Sequence, residues 1–294
     1  MGRALVLVNP EAGGDAAGAG ERAASILREA GWEATVSSTE MRGHGALLAE
    51  EAAAAGTDLC IAAGGDGTAR EAAAGVCGTE TVFAIAPAGT GNSSYRELFE
   101  DEDWEERLRA YLATGAARTV DLNRVEPTGE VSLLGFSVGW FAQVVELAAT
   151  ESATGRARYA AAAQRAAQAP RSFTAKVSLD GAPFMDGDLG LLAVGGARRR
   201  GGVFPVLPDS RLDDGELDVL AVRACGPAEF MELLQLVMQA RHAESPLVRI
   251  GRGRAVDVSS AFFLPAEVDG DLWQLQVAEA RVEVMPAALR VIGR

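Results

Sequence analysis

Residues 62–76 read AAGGDGTAREAAAGV, and how this stretch folds decides how the first third of the chain is organised. It follows the apolar run LCIAA (59–63) and leads into an alanine-rich segment of helical composition. Between them stand Gly64, Gly65, Asp66, Gly67 and Thr68. A chain that places weak helix formers directly before a helix builds a turn whose backbone amides a ligand can approach unobstructed. Helix N-terminal amides carry partial positive charge and suit phosphate oxygens. Asp66 is unexpected in a pure anion nest, because a carboxylate repels phosphate unless it binds a metal or orients a hydroxyl. The plainer alternative is a tight strand-to-helix turn with Asp66 or Thr68 as N-cap.

Working outward, the same logic recurs. TVFAIAPAGTGNSSYREL (81–98) runs from an apolar strand through Pro87, Gly89, Thr90, Gly91 and Asn92 into a helix, and NPEAGG (9–14) follows the strand RALVLV (3–8). In this reading Asn92 suits a left-handed position. Strands at 3–8, WEATVSST, TDLCIAA and TVFAIAP alternate with helical segments, which predicts a parallel α/β layer with ligands at the carboxyl ends of its strands. One helix is expected to begin near Ala69, and another to run through SYRELFEDEDWEERLRAYLATG (94–115). Past about Arg118 the rhythm changes to short alternating runs divided by Gly, Pro or Asp, the pattern of a mostly antiparallel sheet. Two helical segments interrupt it, at about 140–169 and 227–244.

Composition narrows the function. With 294 residues and 48% hydrophobic content the chain is long enough for two domains. A net charge of -14 argues against nucleic-acid binding. Lys176 is the sole lysine and lies in an alternating stretch, so no Walker-type clamp exists. Cys60, Cys77 and Cys225 are widely spaced and read as reduced thiols of a cytoplasmic protein. The opening run is too short for a signal peptide and no apolar stretch is long enough to span a bilayer, so membrane contact is expected to be peripheral. His44 and His242 are too few and too distant for a metal pair; His44 fits a helix entry and His242 an exposed position.

Several motifs together carry a resemblance. NPEAGG is similar to NPxSG, STEMRGHGALLAEEA (38–52) to a T…GHA helix entry, GGDGTAREAAAGV to GGDGTxxEVxNG, and PAGTGN (87–92) to PxGTxND. GGVFPVLPDSRLDDGELDVLAV (201–222) and AEVDGDLWQLQVAEARVEVMPAALRVI (266–292) resemble later segments of the same family. In this order and over nearly the whole chain, they resemble the diacylglycerol kinase catalytic-domain family, which includes bacterial lipid kinases, sphingosine kinases and ceramide kinases. The resemblance implies an N-terminal Rossmann-like α/β domain (1–119) and a C-terminal β-sandwich, acceptor-binding domain (120–286). It places the active site in the cleft between them, with a tail (287–294) packing back on the first domain.

It also implies roles. Asn9, Thr39, Gly64, Gly65, Asp66, Gly67, Thr68, Ala69, Arg70, Gly89, Thr90, Gly91 and Asn92 match nucleotide-binding positions, for ATP with Mg2+. Arg211, Asp214 and Glu216 match positions holding a structural magnesium, the outer two through backbone carbonyls. From the residues themselves, DSRLDDGELD (209–218) offers five carboxylates suited to magnesium, or a solvated Asp-Gly turn. Asp271 matches the proton acceptor, as Asp where Glu is usual. Asp269, a further catalytic candidate at i, i+2, would share its side of an extended strand, or Asp269 and Gly270 would form an Asp-Gly hairpin turn. Asp66 would orient the nucleotide and metal. Ser93 stands where the family has an acidic residue, and Arg70 where it commonly has Asn.

The expectation is therefore an ATP-dependent lipid kinase of phospholipid biosynthesis acting on diacylglycerol or a related alcohol. Arg156, Arg158, Arg165, Arg171 and Arg198–Arg200 are candidates for contact with anionic lipid at the inner membrane face. A solvated basic face is the alternative, and oligomeric state stays open. The competing functions are a kinase with a non-lipid acceptor, similar to NAD kinases that share GGDGT, and a catalytically silent lipid- or nucleotide-binding relative.

Overall fold

The computed structural model describes residues 1–12, 14–273 and 278–293. Gly13 of the first loop, residues 274–277 of the WQLQVAEA run and Arg294 of the tail lie outside the described residues. The chain divides into two compact units, Met1–Leu122 with Pro286–Arg294, and Asn123–Met285.

The first unit alternates strand and helix: β1 (Arg3–Val8), α1 (Ala16–Glu29), β2 (Glu33–Ser38), α2 (His44–Ala54), β3 (Leu59–Gly64), α3 (Asp66–Val76), β4 (Val82–Pro87), α4 (Ser93–Phe99) and α5 (Trp104–Thr114). Strand β1 pairs in parallel with β2 and β3, and β3 in parallel with β4. The central strand β3 is buried at every residue and reads as an unbroken apolar run, whereas β2, at the edge, is only partly buried.

Two expectations need correction here. Helix α3 begins at Asp66, three residues before Ala69, so Gly67 and Thr68 lie in its first turn. The acidic helix of 94–115 is two helices. Glu100 and Asp101 have φ of 56° and 59°, and Asp103 restarts the chain by accepting hydrogen bonds from the amides of Glu105 and Glu106, each at 2.9 Å. A side-chain cap this well placed outcompetes helix continuation through the alternating Glu-Asp run.

Strand β5 (Ala117–Glu126) enters the second unit. There follow β6 (Glu130–Ser132), β7 (Phe136–Gly139), α6 (Trp140–Ala148), α7 (Gly155–Gln168), β8 (Phe173–Leu179), β9 (Ala182–Gly195), β10 (Leu217–Arg223), α8 (Pro227–Met238), β11 (Val248–Gly253), β12 (Ala255–Ser259), β13 (Ala266–Val268), β14 (Asp271–Leu272) and β15 (Glu279–Ile292). Pairing is antiparallel throughout this unit's recorded ladders, a β-sandwich with helices on one face. The helical segment of 140–169 is two helices, and that of 227–244 ends as α8 followed by a short 3-10 turn at His242–Glu244.

Strands β9 and β10 show why sheet strands can lose their alternation. Leu189, Leu192, Val194, Leu217, Val219 and Ala221 enter one apolar core with Phe136, Val177 and Trp273. Their neighbours Leu191, Ala193, Leu220 and Val222 enter a second core with Trp140, Phe141, Phe230 and Leu233 of the helices. Successive residues point to opposite faces, so a strand covered on both sides needs apolar residues at every position. Strand β8, covered on one side, keeps its alternation, and Lys176 is exposed on it.

The final strand serves both units. Residues 279–283 pair antiparallel with β12, while Arg290 and Val291 pair parallel with Val82 and Phe83 of β4. Among the described residues no helix is long and apolar enough to cross a membrane.

Candidate active site

In the first unit β3 and β4 end in register, Gly64 opposite Pro87, so the two loops that follow leave the sheet side by side. Ala88 N donates to Gly64 O at 2.8 Å. Gly89 then lies directly on Gly65: a Cβ on Gly89 would sit 2.4 Å from the Gly65 Cα, a distance no side chain can occupy. Gly89 N donates to Asn92 Oδ1 at 2.8 Å, and Asn92 takes the left-handed conformation expected of it, φ 52°. The first loop joins them through Asn9 N, which donates to Ala63 O at 3.2 Å, and through Gly14, packed against Ala88 O.

The start of α3 carries no side-chain cap; its N-cap is Gly65, not Asp66 or Thr68. Asp66 instead accepts the Ser94 amide on Oδ1 at 2.7 Å, tying α3 to the start of α4. Its Oδ2 lies against Gly91. The hydroxyls of Thr68 and Ser94 are buried without a hydrogen-bond partner. Gly67 is exposed, its φ is not positive, and nothing lies within 4 Å of the position a Cβ would take. Glycine in a helix costs about 0.5–1 kcal/mol relative to alanine, yet neither packing nor backbone conformation calls for it here. Of the other matched positions, Thr90 is exposed, Thr39 half-buried, and Ala69 and Arg70 buried on α3.

Glu71 is a residue the sequence reading did not single out. Its carboxylate accepts the amides of Gly43 at 2.7 Å and Gly45 at 3.0 Å, capping α2 from the neighbouring helix. That fixes the entry of α2 beside Thr39, whose amide continues the β2 edge by donating to Val8 O at 2.8 Å. The glutamate of GGDGTxxE was the available signal. His44, at this entry, accepts the Glu40 amide on Nδ1 at 3.1 Å.

In the second unit Asp269 and Asp271 lie on the hairpin joining β13 to β14, where Val268 pairs with Asp271. The extended-strand reading is corrected: Asp269 (φ 51°) and Gly270 (φ 89°) form the two-residue turn itself. The two carboxylates therefore do not share a strand face. Asp269 accepts four hydrogen bonds, from Ser132 Oγ at 2.6 Å and from the amides of Leu133 (2.8 Å), Leu134 (2.9 Å) and Gly135 (2.8 Å). This nest is why EVSLLGFSVG breaks into β6 and β7. Asp271 is half-buried on β14. Beneath the turn, buried Glu267 accepts the Gly270 amide at 2.6 Å and the Ser137 hydroxyl. Burial raises its carboxyl pKa, opposed by Arg200 and these two donors and reinforced by Asp269.

The acidic segment 209–218 carries the implied structural magnesium positions. Arg211 Nε donates to Asp213 at 3.1 Å, and Asp214 Oδ1 accepts the Glu216 amide at 3.1 Å. Arg252 occupies the centre: its Nη2 binds Asp214 Oδ2, its Nη1 lies 3.5 Å from Glu216 and its Nε 3.0 Å from Asp218. Among the described residues no group of three or more His, Cys, Asp or Glu is arranged to hold a metal. A divalent ion on Asp214 Oδ2 would sit roughly 4–5 Å from the guanidinium, a repulsion of roughly 7 kcal/mol at an effective dielectric near 20. Asp214 is the one side-chain ligand of the implied set, Arg211 and Glu216 serving through their backbone carbonyls, and with its Oδ2 taken by Arg252 the set does not fit that ion. Burial raises the Asp218 carboxyl, with Ser210 and Arg252 opposing.

Three further expectations change. His242 is buried, 1% exposed, with Nε2 hydrogen-bonded to Val206 O at 2.8 Å, and burial lowers its pKa. Arg200 is buried and donates to Val194 O at 2.7 Å, so it is no part of an exposed basic loop. On and beside α7, Arg165 pairs with Glu151 and Arg171 with Glu146, which halves the basic character of that cluster. All three cysteines are free, and burial pushes Cys60 up to about 12.

Residues 3–125 match the diacylglycerol kinase catalytic domain, and residues 136–293 the YegS C-terminal NAD kinase beta sandwich-like domain. A diacylglycerol kinase of Mycobacterium tuberculosis is 29% identical over 307 residues, covering 99% of this chain and 95% of the relative. One of Bacillus subtilis is 25% identical over 281 residues, covering 92% and 90%. A solved diacylglycerol kinase structure from Bacillus anthracis aligns over 99% of this chain and 97% of its own, with a TM-score of 0.72 at 19% identity, a likeness of fold.

Proposed function

Because the chain belongs to the family that joins a diacylglycerol kinase catalytic domain to a YegS C-terminal NAD kinase beta sandwich-like domain, we propose that it is an ATP-dependent lipid kinase acting on diacylglycerol or a related lipid alcohol. Gly67 carries the reading. It is a helix glycine without steric or conformational cause, beside an uncapped helix start and a second glycine loop in backbone contact. A phosphate chain seated there accounts for all three features.

In this reading the amides at the start of α3 and in the Gly89–Asn92 loop hold the triphosphate. Asp66 would hold the nucleotide's magnesium, which when bound would supply charge neutralisation at the phosphates. The lipid hydroxyl oxygen attacks the γ-phosphorus, the bond to the β-phosphate oxygen breaks, ADP leaves, and the hydroxyl proton passes to the Asp271 carboxylate. Positioning and charge supply most of the acceleration, and the base a further part. Glu71 and Asp269 act as positioning residues for the two loops that carry the chemistry. The relatives named as diacylglycerol kinases support the acceptor class.

The test is transfer from labelled ATP to diacylglycerol, sphingoid bases and NAD by purified protein. Phosphorylated diacylglycerol or another lipid alcohol is the expected product. Transfer only to NAD, or ATP binding with no transfer to any acceptor, overturns the proposal. Asp271→Asn is expected to lower turnover by at least about 100-fold with nucleotide affinity unchanged; full turnover in that variant removes Asp271 from the base role.

A further inference from the structure

In the acidic turn of the second unit the one carboxylate of the family-implied cation site, Asp214, is engaged by a side chain, Arg252. Arg252 and Asp218 are directly opposite one another in the antiparallel β10–β11 ladder, so the backbone pairing delivers the guanidinium to the turn. Each of its three nitrogens meets a different carboxylate: Nε faces Asp218 at 3.0 Å, Nη2 faces Asp214 and Nη1 faces Glu216 at 3.5 Å. Asp218 is buried, 5% exposed, and Asp214 further accepts the Glu216 amide within the turn. Magnesium requires near-octahedral oxygen ligation at about 2.1 Å. An arginine needs only the planar fork it always presents, and its charge does not depend on the concentration of a free ion.

We propose that Arg252 holds the 209–218 turn in place of a structural divalent cation, so that the second unit folds and stays folded without bound metal. The same side chain staples the turn to β10 and β11, a role that a freely exchanging ion fills only while bound. This inference concerns the fold of the second unit and stands or falls separately from the phosphotransfer reading: its readouts are metal content and thermal stability, not activity.

The experiment uses the full chain. After dialysis against EDTA and then metal-free buffer, inductively coupled plasma measurement should find no stoichiometric magnesium, calcium or manganese. Thermal unfolding of the wild type should agree within about 1 °C with EDTA or with added magnesium chloride. Arg252→Met, which keeps an unbranched apolar stem and removes the guanidinium and its charge, leaves three facing carboxylates uncompensated. Its Tm should fall on the order of 5 °C or more, and added magnesium should recover much of that loss. Arg252→Lys, with the charge but not the fork, should fall between. The proposal is overturned by a wild type that retains one equivalent of divalent metal or loses stability on chelation. It is equally overturned by an Arg252→Met chain as stable as the wild type. Should Arg252→Met fail to fold, the wild-type metal content and the Arg252→Lys melt decide the matter alone.

Discussion

Replacing Asp269 by asparagine separates the carboxylate proposed as the base, Asp271, from one that builds the fold. In the structure both oxygens are engaged: Oδ1 by Ser132, Leu134 and Gly135, and Oδ2 by Leu133. Asparagine keeps the size of the side chain and tolerates the left-handed φ of 51° at this position. With its oxygen toward the first three donors, its NH2 group must face the Leu133 amide, donor against donor. One partly buried amide is then left unsatisfied, at about 1–3 kcal/mol, and three bonds lose their charge assistance, at roughly 1 kcal/mol each before non-additivity. The expected loss is about 3–5 kcal/mol, which for a chain of this size is a Tm lower by roughly 5–8 °C. Thermal or urea denaturation measures it, and amide hydrogen exchange at Leu133–Gly135 should accelerate. With Asp271 as the proposed base on the same hairpin, turnover is expected to fall too, together with stability. An Asp269→Asn protein that melts within about 2 °C of the wild type and keeps residues 133–135 protected refutes this account, whatever its activity.

The remaining predictions use the same structural facts. Gly67→Ala has open space for its methyl group and should gain about 0.5–1 kcal/mol of stability while nucleotide affinity, measured by calorimetry, drops. Affinity equal to the wild type would remove this turn from the phosphate site. Gly89→Ala forces apart two backbones in contact at Gly65 and should lose about 1–3 kcal/mol in denaturant unfolding together with nucleotide affinity. His242 has its pKa lowered by burial from 6.5, so the unfolded chain takes up the proton first. Its contribution is complete above about pH 6.5 and is lost as pH falls through the lower folded value. His242→Gln, which can still donate to Val206 O, should flatten the difference in Tm between neutral and mildly acidic buffer; an unchanged difference excludes His242 as its source.

Much of this protein is legible from short stretches alone. Parallel strands buried on both faces, the glycine loops after β3 and β4, and the αL asparagine at position 92 depend on residues within a few positions of one another. Their signals are periodicity and backbone freedom, which are local. Where a side chain chooses a partner far along the chain, the sequence leaves two answers open. VDGD serves equally as a strand or a turn until Ser132–Gly135 arrive to hold Asp269. DSRLDDGELD reads as a magnesium site or a solvated Asp-Gly turn until β11 pairs with β10 and brings Arg252. Glu71 is one more helical glutamate until α2 offers two amides. Hydrogen bonds and charges are satisfied by whatever group the folded chain brings within about 3 Å, and only the tertiary structure decides which group that is.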